Sequence, residues 1–215
     1  MELNATLCAD PKKLRDFLTR CSSQEIASFF ERAAVERKPK VIRSLMHATA
    51  PQSTDRALFY AAGRGCAKSV AALLEWEQPE EVRNEALVAA CQFGQLKAVM
   101  CLLPVSDPQY NNNHPLRTAA TGGHIEVVRC LLPHTNPKDC NSAALESAVW
   151  TGNIEMTELL YNLSDPQEVK QSLSRTHLGK KSWEDMIFIL EARRQKIILG
   201  EAIETNSLPP TPRKM

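Results

Sequence analysis

Apolar residues along most of this chain follow one face of a helix, pause at a glycine, and resume on one face of a second helix. The pattern is sharpest over residues 113–133, which read Asn-His-Pro-Leu-Arg-Thr-Ala-Ala-Thr-Gly-Gly-His-Ile-Glu-Val-Val-Arg-Cys-Leu-Leu-Pro. Leu116, Ala119 and Ala120 give a first helix whose shared face is small enough for a neighbour to approach closely. Asn113 suits its N-cap and Pro115 its first turn. Thr121-Gly122-Gly123 breaks the helix, since glycine supplies the positive φ that a helix end commonly needs. Ile125, Val128, Leu131 and Leu132 then fall at i, i+3, i+6 and i+7, a single apolar stripe. Pro133 ends the second helix. The unit is helix, tight turn, helix, exit loop.

That unit recurs at a spacing of 29 residues. Gly65, Gly94, Gly123 and Gly152 hold the register, and so do Leu58, Leu87, Leu116 and Leu145. Ala61, Ala90, Ala119 and Ala148 form a third column, Leu73, Leu102, Leu131 and Leu160 a fourth, and Pro79, Pro108, Pro137 and Pro166 a fifth. Units of this size bury their apolar faces only against their neighbours, so the pattern predicts a stacked, quasi-linear architecture. Both ends extend it in weaker form. Ile26, Phe29 and Phe30, then Val41, Ile42 and Leu45, predict two amphipathic helices around Arg37-Lys38-Pro39; Leu14, Phe17 and Leu18 predict one more before them. Carrying the register beyond Gly152 puts Lys181 in a turn, Trp183 and Met186 on a second helix, and Ile189-Leu190 at the Leu-Leu position. The expected division is an N-terminal helical cap over 3–52, a stack over 53–203 with four clear repeats and a degenerate C-terminal cap, and a disordered proline-rich tail over 204–215.

The units resemble the ankyrin repeat. His114-Pro115-Leu116-Arg117-Thr118-Ala119-Ala120 is similar to that family's Thr-Pro-Leu-His-x-Ala-Ala, and Gly123-His124-Ile125-Glu126-Val127-Val128 to its Gly-His-Leu-Glu-Val-Val. The likeness covers residues 57–161 and fades at both ends. The family period is about 33 residues, so each copy here is shortened, and the missing stretch falls where ankyrin repeats usually build a β-hairpin finger. His114 and Arg117 also replace the Thr and His of the helix-start motif. The resemblance therefore implies an all-α, ankyrin-like helix-turn-helix solenoid with shortened loops lacking full β-hairpins. Its proline-led style resembles the divergent arrays of intracellular bacteria and large viruses.

Composition narrows compartment more than function. Lys plus Arg number 26 and Asp plus Glu 25, so no global field draws the chain to nucleic acid or to an anionic membrane. No apolar run reaches the ~20 residues that span a bilayer, and the N-terminus carries no secretory hydrophobic segment. A cytoplasmic monomer is the expectation, with delivery into a host cell as the variant. The seven cysteines read as packing residues. Cys101 and Cys130 share a column with Ala72 and Leu159, and Cys91 shares one with Ala62, Ala120 and Val149. Zinc at Cys130, His134 and Cys140 lacks the paired spacing such sites use. The histidines fall in no catalytic motif, and the ankyrin Gly-His turn implies that His124 bonds local backbone. No cofactor and no enzymatic activity are expected. An enzyme with its site in or beside the N-terminal helices is the alternative from another class.

In ankyrin stacks the two residues between the Ala pair and the glycine face the concave side, which here implicates Gly63-Arg64, Gln92-Phe93, Thr121-Gly122 and Trp150-Thr151. These columns vary while the buried ones repeat, and Arg, Phe and Trp suit interface anchors. The partner-binding residues so indicated are Arg64, Gln92, Phe93, Thr121 and Trp150, with Tyr110 and Lys138 on the rim. The function implied is a protein–protein interaction scaffold acting as adaptor or inhibitor, or an effector secreted by a bacterium to act on a host protein. Pro209, Pro212 and Lys214 in the tail match the spacing of a Src-homology-3 ligand.

Overall fold

The helices that these patterns predict form, and they stack in two rows. The computed structural model describes residues 10–49, 54–175 and 177–206. The first unit opens with α1 (Pro11–Leu18), followed by α2 (Ser23–Val35) and α3 (Pro39–Ala48). Four regular units follow: α4 (Asp55–Gly63) with α5 (Ala67–Leu73), α6 (Glu80–Gln92) with α7 (Leu96–Leu102), α8 (Tyr110–Thr121) with α9 (Ile125–Leu131), and α10 (Asp139–Trp150) with α11 (Ile154–Tyr161). The stack closes with α12 (Pro166–Leu173) and the long α13 (His177–Asn206). No strand occurs among the described residues, so the shortened loops carry no hairpin fingers.

First helices pack in the order α2, α4, α6, α8, α10 and α12, and second helices α3, α5, α7 and α9 form a parallel row with less mutual contact. The alanine columns explain the difference. Ala61, Ala62, Ala89, Ala90, Ala119, Ala120 and Ala148 are all buried, and so small a surface brings the first helices close together. Between the rows runs one continuous core, with Leu58, Leu87, Leu116 and Leu145 from the first helices and Leu73, Leu102, Leu131 and Leu160 from the second.

At the N-terminus, α1 begins on Asp10, whose carboxylate accepts from the Lys12 and Lys13 backbone N–H groups, with Pro11 at the first helical position. A capping box opens α2: Ser22 Oγ accepts from Glu25 N at 3.3 Å and Glu25 Oε2 accepts from Ser22 N at 2.7 Å. Arg37 follows α2 at φ 58°, the conformation that Gly65 takes at φ 68° after α4. The N-terminal helices thus form a unit of the same kind, with arginine at the glycine position.

Two local expectations change. Asn113 does not cap α8; Asn111, Asn112 and Asn113 form a left-handed turn (φ 50°, 58° and 56°) ahead of the right-handed helix. Asparagine is the non-glycine residue best suited to that region, and Asn113 Nδ2 instead donates to the carbonyl of Asn136 at 3.0 Å. Lys181 lies inside α13 rather than in a turn, because no glycine stands at the register position and the chain turns earlier, at 174–175. Trp183, Met186 and Leu190 are nonetheless buried as that pattern requires. The helix continues to Asn206, and the rest of the proline-rich tail, with Pro209, Pro212 and Lys214, lies outside the described residues.

Candidate partner-binding face

The turns at Gly94, Gly123 and Gly152 are built from the same two parts. The glycine adopts positive φ, and the residue after it reaches back over the glycine of the preceding unit. Gln95 covers Gly65, His124 covers Gly94 and Asn153 covers Gly123. His124 Nε2 lies 3.0 Å from the carbonyl oxygen of Gln92, 32 residues away in sequence. A carbonyl only accepts, so Nε2 carries the proton. The local backbone bond expected for His124 is therefore replaced by a bond between units.

A second ladder ties the exit loops. Asn84 Oδ1 accepts from Asp107 N at 2.7 Å, and Ser142 Oγ accepts from Asp165 N at 2.8 Å. With the Asn113–Asn136 bond these repeat at a separation of 23 residues. The acceptor side chains of the loops close Asx turns across proline: Asp107 Oδ1 to Gln109 N at 2.8 Å, Asn136 Oδ1 to Lys138 N at 3.2 Å, and Asp165 Oδ1 to Gln167 N at 2.9 Å. Both ladders hold successive turns and loops in fixed relation, giving the face between them rigid edges.

That face carries large apolar side chains in contact with water. Phe93 is 54% exposed, Trp150 48%, Phe59 40% and Tyr60 37%. Phe93 caps the end of α6 and leans on Gly63, where a Cβ would meet its ring at 3.2 Å. Trp150 ends α10 and, with Thr121, His114, Arg117 and Glu146, lines an open depression of about 370 Å³. Thr121 donates its hydroxyl to the Arg117 carbonyl at 2.9 Å. Tyr110 lines the next depression, of about 330 Å³, with Phe59, Glu85, Val88 and His114. A third, of about 270 Å³, lies between Asp55, Arg56, Phe59, Tyr60, Val82 and Glu85. Gln92 and Arg64 are exposed at the ends of α6 and α4, and Lys138 is exposed in the loop before α10. These three line none of the depressions.

Tyr60 was not singled out by sequence, and Phe59, Glu85, Val88, His114, Arg117 and Glu146 were not singled out as residues of this face. A signal existed. Counting back four and seven residues from Gly63, Gln92, Thr121 and Trp150 gives Phe59 and Arg56, Val88 and Glu85, Arg117 and His114, Glu146 and Ala143. Those positions share the helix face of the turn residues, and their columns vary just as strongly.

The electrostatics of the face are mixed. Arg56 Nε lies 3.1 Å from Glu31 Oε1, and its guanidinium stands 5.9 Å from the centre of the Tyr60 ring. Burial pushes the His114 pKa below its ordinary value, with Arg117 adding to the effect. Away from the face, burial pushes the Cys91 thiol up to about 12, with a smaller contribution from Cys130. Cys91 is a packing residue and stays protonated at physiological pH.

Residues 87–170 match the family model described as ankyrin repeats, in three copies. That part of the stack is made of ankyrin repeats. No curated protein matches the chain at a significant level. Ankyrin repeats are generally protein–protein interaction modules and typically non-catalytic. The 29-residue units of this chain are shorter than the common ankyrin repeat, and the inter-unit bonds of Asn84, Asn113 and Ser142 stand near the start of their first helices. Among the described residues no helix is long and apolar enough to cross a membrane.

Proposed function

We propose that this chain is an adaptor or inhibitor that binds a protein partner along its concave face and acts by occupying or tethering that partner. The observation that carries the reading is the row of exposed aromatic side chains, Phe59, Tyr60, Phe93 and Trp150, on rigid first helices and their ends. Large exposed apolar groups on fixed backbone lose little conformational freedom on binding and supply most of the energy of an interface. Arg64, Gln92, Thr121, Tyr110 and Lys138 supply polar contacts around them. The scaffold works as a monomer and needs no cofactor. A reducing compartment, the cytoplasm, suits the free thiols of Cys66, Cys91, Cys101 and Cys130.

The test is affinity capture from cell lysate with the parent chain and two double variants. Phe93→Ala with Trp150→Ala should reduce capture to background while helicity and melting stay near parental. Glu126→Ala with Arg129→Ala, a pair on the outer surface of α9, should capture normally. Equal loss from both pairs would defeat the assignment of the face.

A further inference from the structure

We infer that the partner presents a lysine or arginine side chain to the depression between Phe59, Glu85 and Tyr110. This rests on the concave-face reading above and gives it a chemical class of ligand.

Phe59 and Glu85 form the ridge between two of the three depressions, with Asp55 and Tyr60 on one side and Tyr110 and His114 on the other. Glu85 and Asp55 are exposed, and among the described residues neither carboxylate has an ion-pair or hydrogen-bond partner. Arg56, in the lining of the adjoining depression, is already engaged: it is held by Glu31 and covers Tyr60. Burial, with Arg117 adding to the effect, disfavours the charged form of His114. Arg117 itself lines the neighbouring depression, with Glu146. This end of the face therefore offers carboxylate and aromatic surface, and among the described residues its lining holds no lysine and no arginine other than the engaged Arg56.

A neutral apolar side chain seated here would strip water from Glu85 without replacing its hydrogen bonds, which is unfavourable. A carboxylate would add repulsion. An ammonium or guanidinium group satisfies Glu85 and gains further from the faces of Phe59 and Tyr110, while the methylene stem of either residue packs on Val88. A depression of about 330 Å³ accommodates such a side chain with part of its backbone.

The probes are N-acetyl-lysine methylamide and N-acetyl-arginine methylamide, titrated into the full ¹⁵N-labelled chain, with the norleucine and glutamate analogues as controls. Amide shifts should cluster at Phe59, Glu85, Val88 and Tyr110 with both cationic probes, and binding should be about fivefold weaker with norleucine. Glu85→Gln should remove that preference with an unchanged melting temperature, since the side chain is exposed. Equal response to norleucine, shifts mapping elsewhere, or a retained cation preference in Glu85→Gln would each overturn the proposal. A chain ending at Asn206 supplies a further arm. If deletion of 207–215 alone moves the same resonances, the cation is Arg213 or Lys214 of the chain itself, and the partner assignment falls. Loss of capture in the Phe93/Trp150 variant without any cation response would leave the concave face standing and this inference overturned.

Discussion

Gly94 takes φ 66°, and a Cβ there would come within 2.5 Å of His124 Nδ1. Gly152 takes φ 68°, yet a Cβ there would meet nothing within 4 Å. The two glycines therefore separate backbone conformation from packing. Gly152→Ala should cost roughly 1 kcal/mol, the left-handed penalty alone. Gly94→Ala should cost about 2 kcal/mol or more, because the His124 ring must also leave the Gln92 carbonyl. Urea unfolding of the two variants measures the difference, and equal losses would mean that the His124 bond contributes nothing. The repeat of glycine was plain in sequence. Its second role was not, because the residue it makes room for lies one unit further along the chain.

At the scale of the element, the exit loops explain why Asn84, Asn113 and Ser142 are buried although polar. Each meets a backbone group of the following loop, and a buried amide or carbonyl left without a partner costs far more than a made bond returns. Asn84→Ala would strand the Asp107 N–H and should destabilise the chain by about 1–3 kcal/mol, read as a lower urea midpoint with an unchanged slope. An unaltered midpoint would show that water replaces the side chain at no cost. The same column reads as a helix start in sequence, since Asn before His-Pro is a good cap. The left-handed turn at 111–113 and the bond to Asn136 depend on where the next loop lies, which local propensity does not carry. α13 makes the same point from the other end: its apolar residues Trp183, Met186 and Leu190 were legible, but the site of its turn was not, because arginine and serine at 174–175 give no glycine signal.

Over the whole molecule, stability passes from unit to unit, and each end needs a cover. Val169, Leu173, Trp183, Met186 and Leu190 close the last apolar face. A chain truncated after Asn162 should melt at a lower temperature and bind more of an apolar dye such as ANS than the full chain; identical melting would show that the fifth unit closes the stack by itself. The sequence by itself determined the architecture: the period, the helix-turn-helix unit, the buried columns, the lack of strands among the described residues, and the exposure of Phe93 and Trp150 at the helix ends. These follow from spacing and side-chain size, which a repeat writes several times over. Only the tertiary structure decided which polar side chains bridge units and which first-helix residues join the turn pair on one surface. Glu85, Phe59 and His114 come from three different repeats and meet only when the first helices stack, because their proximity is set by the close approach of alanine faces and not by any distance along the chain.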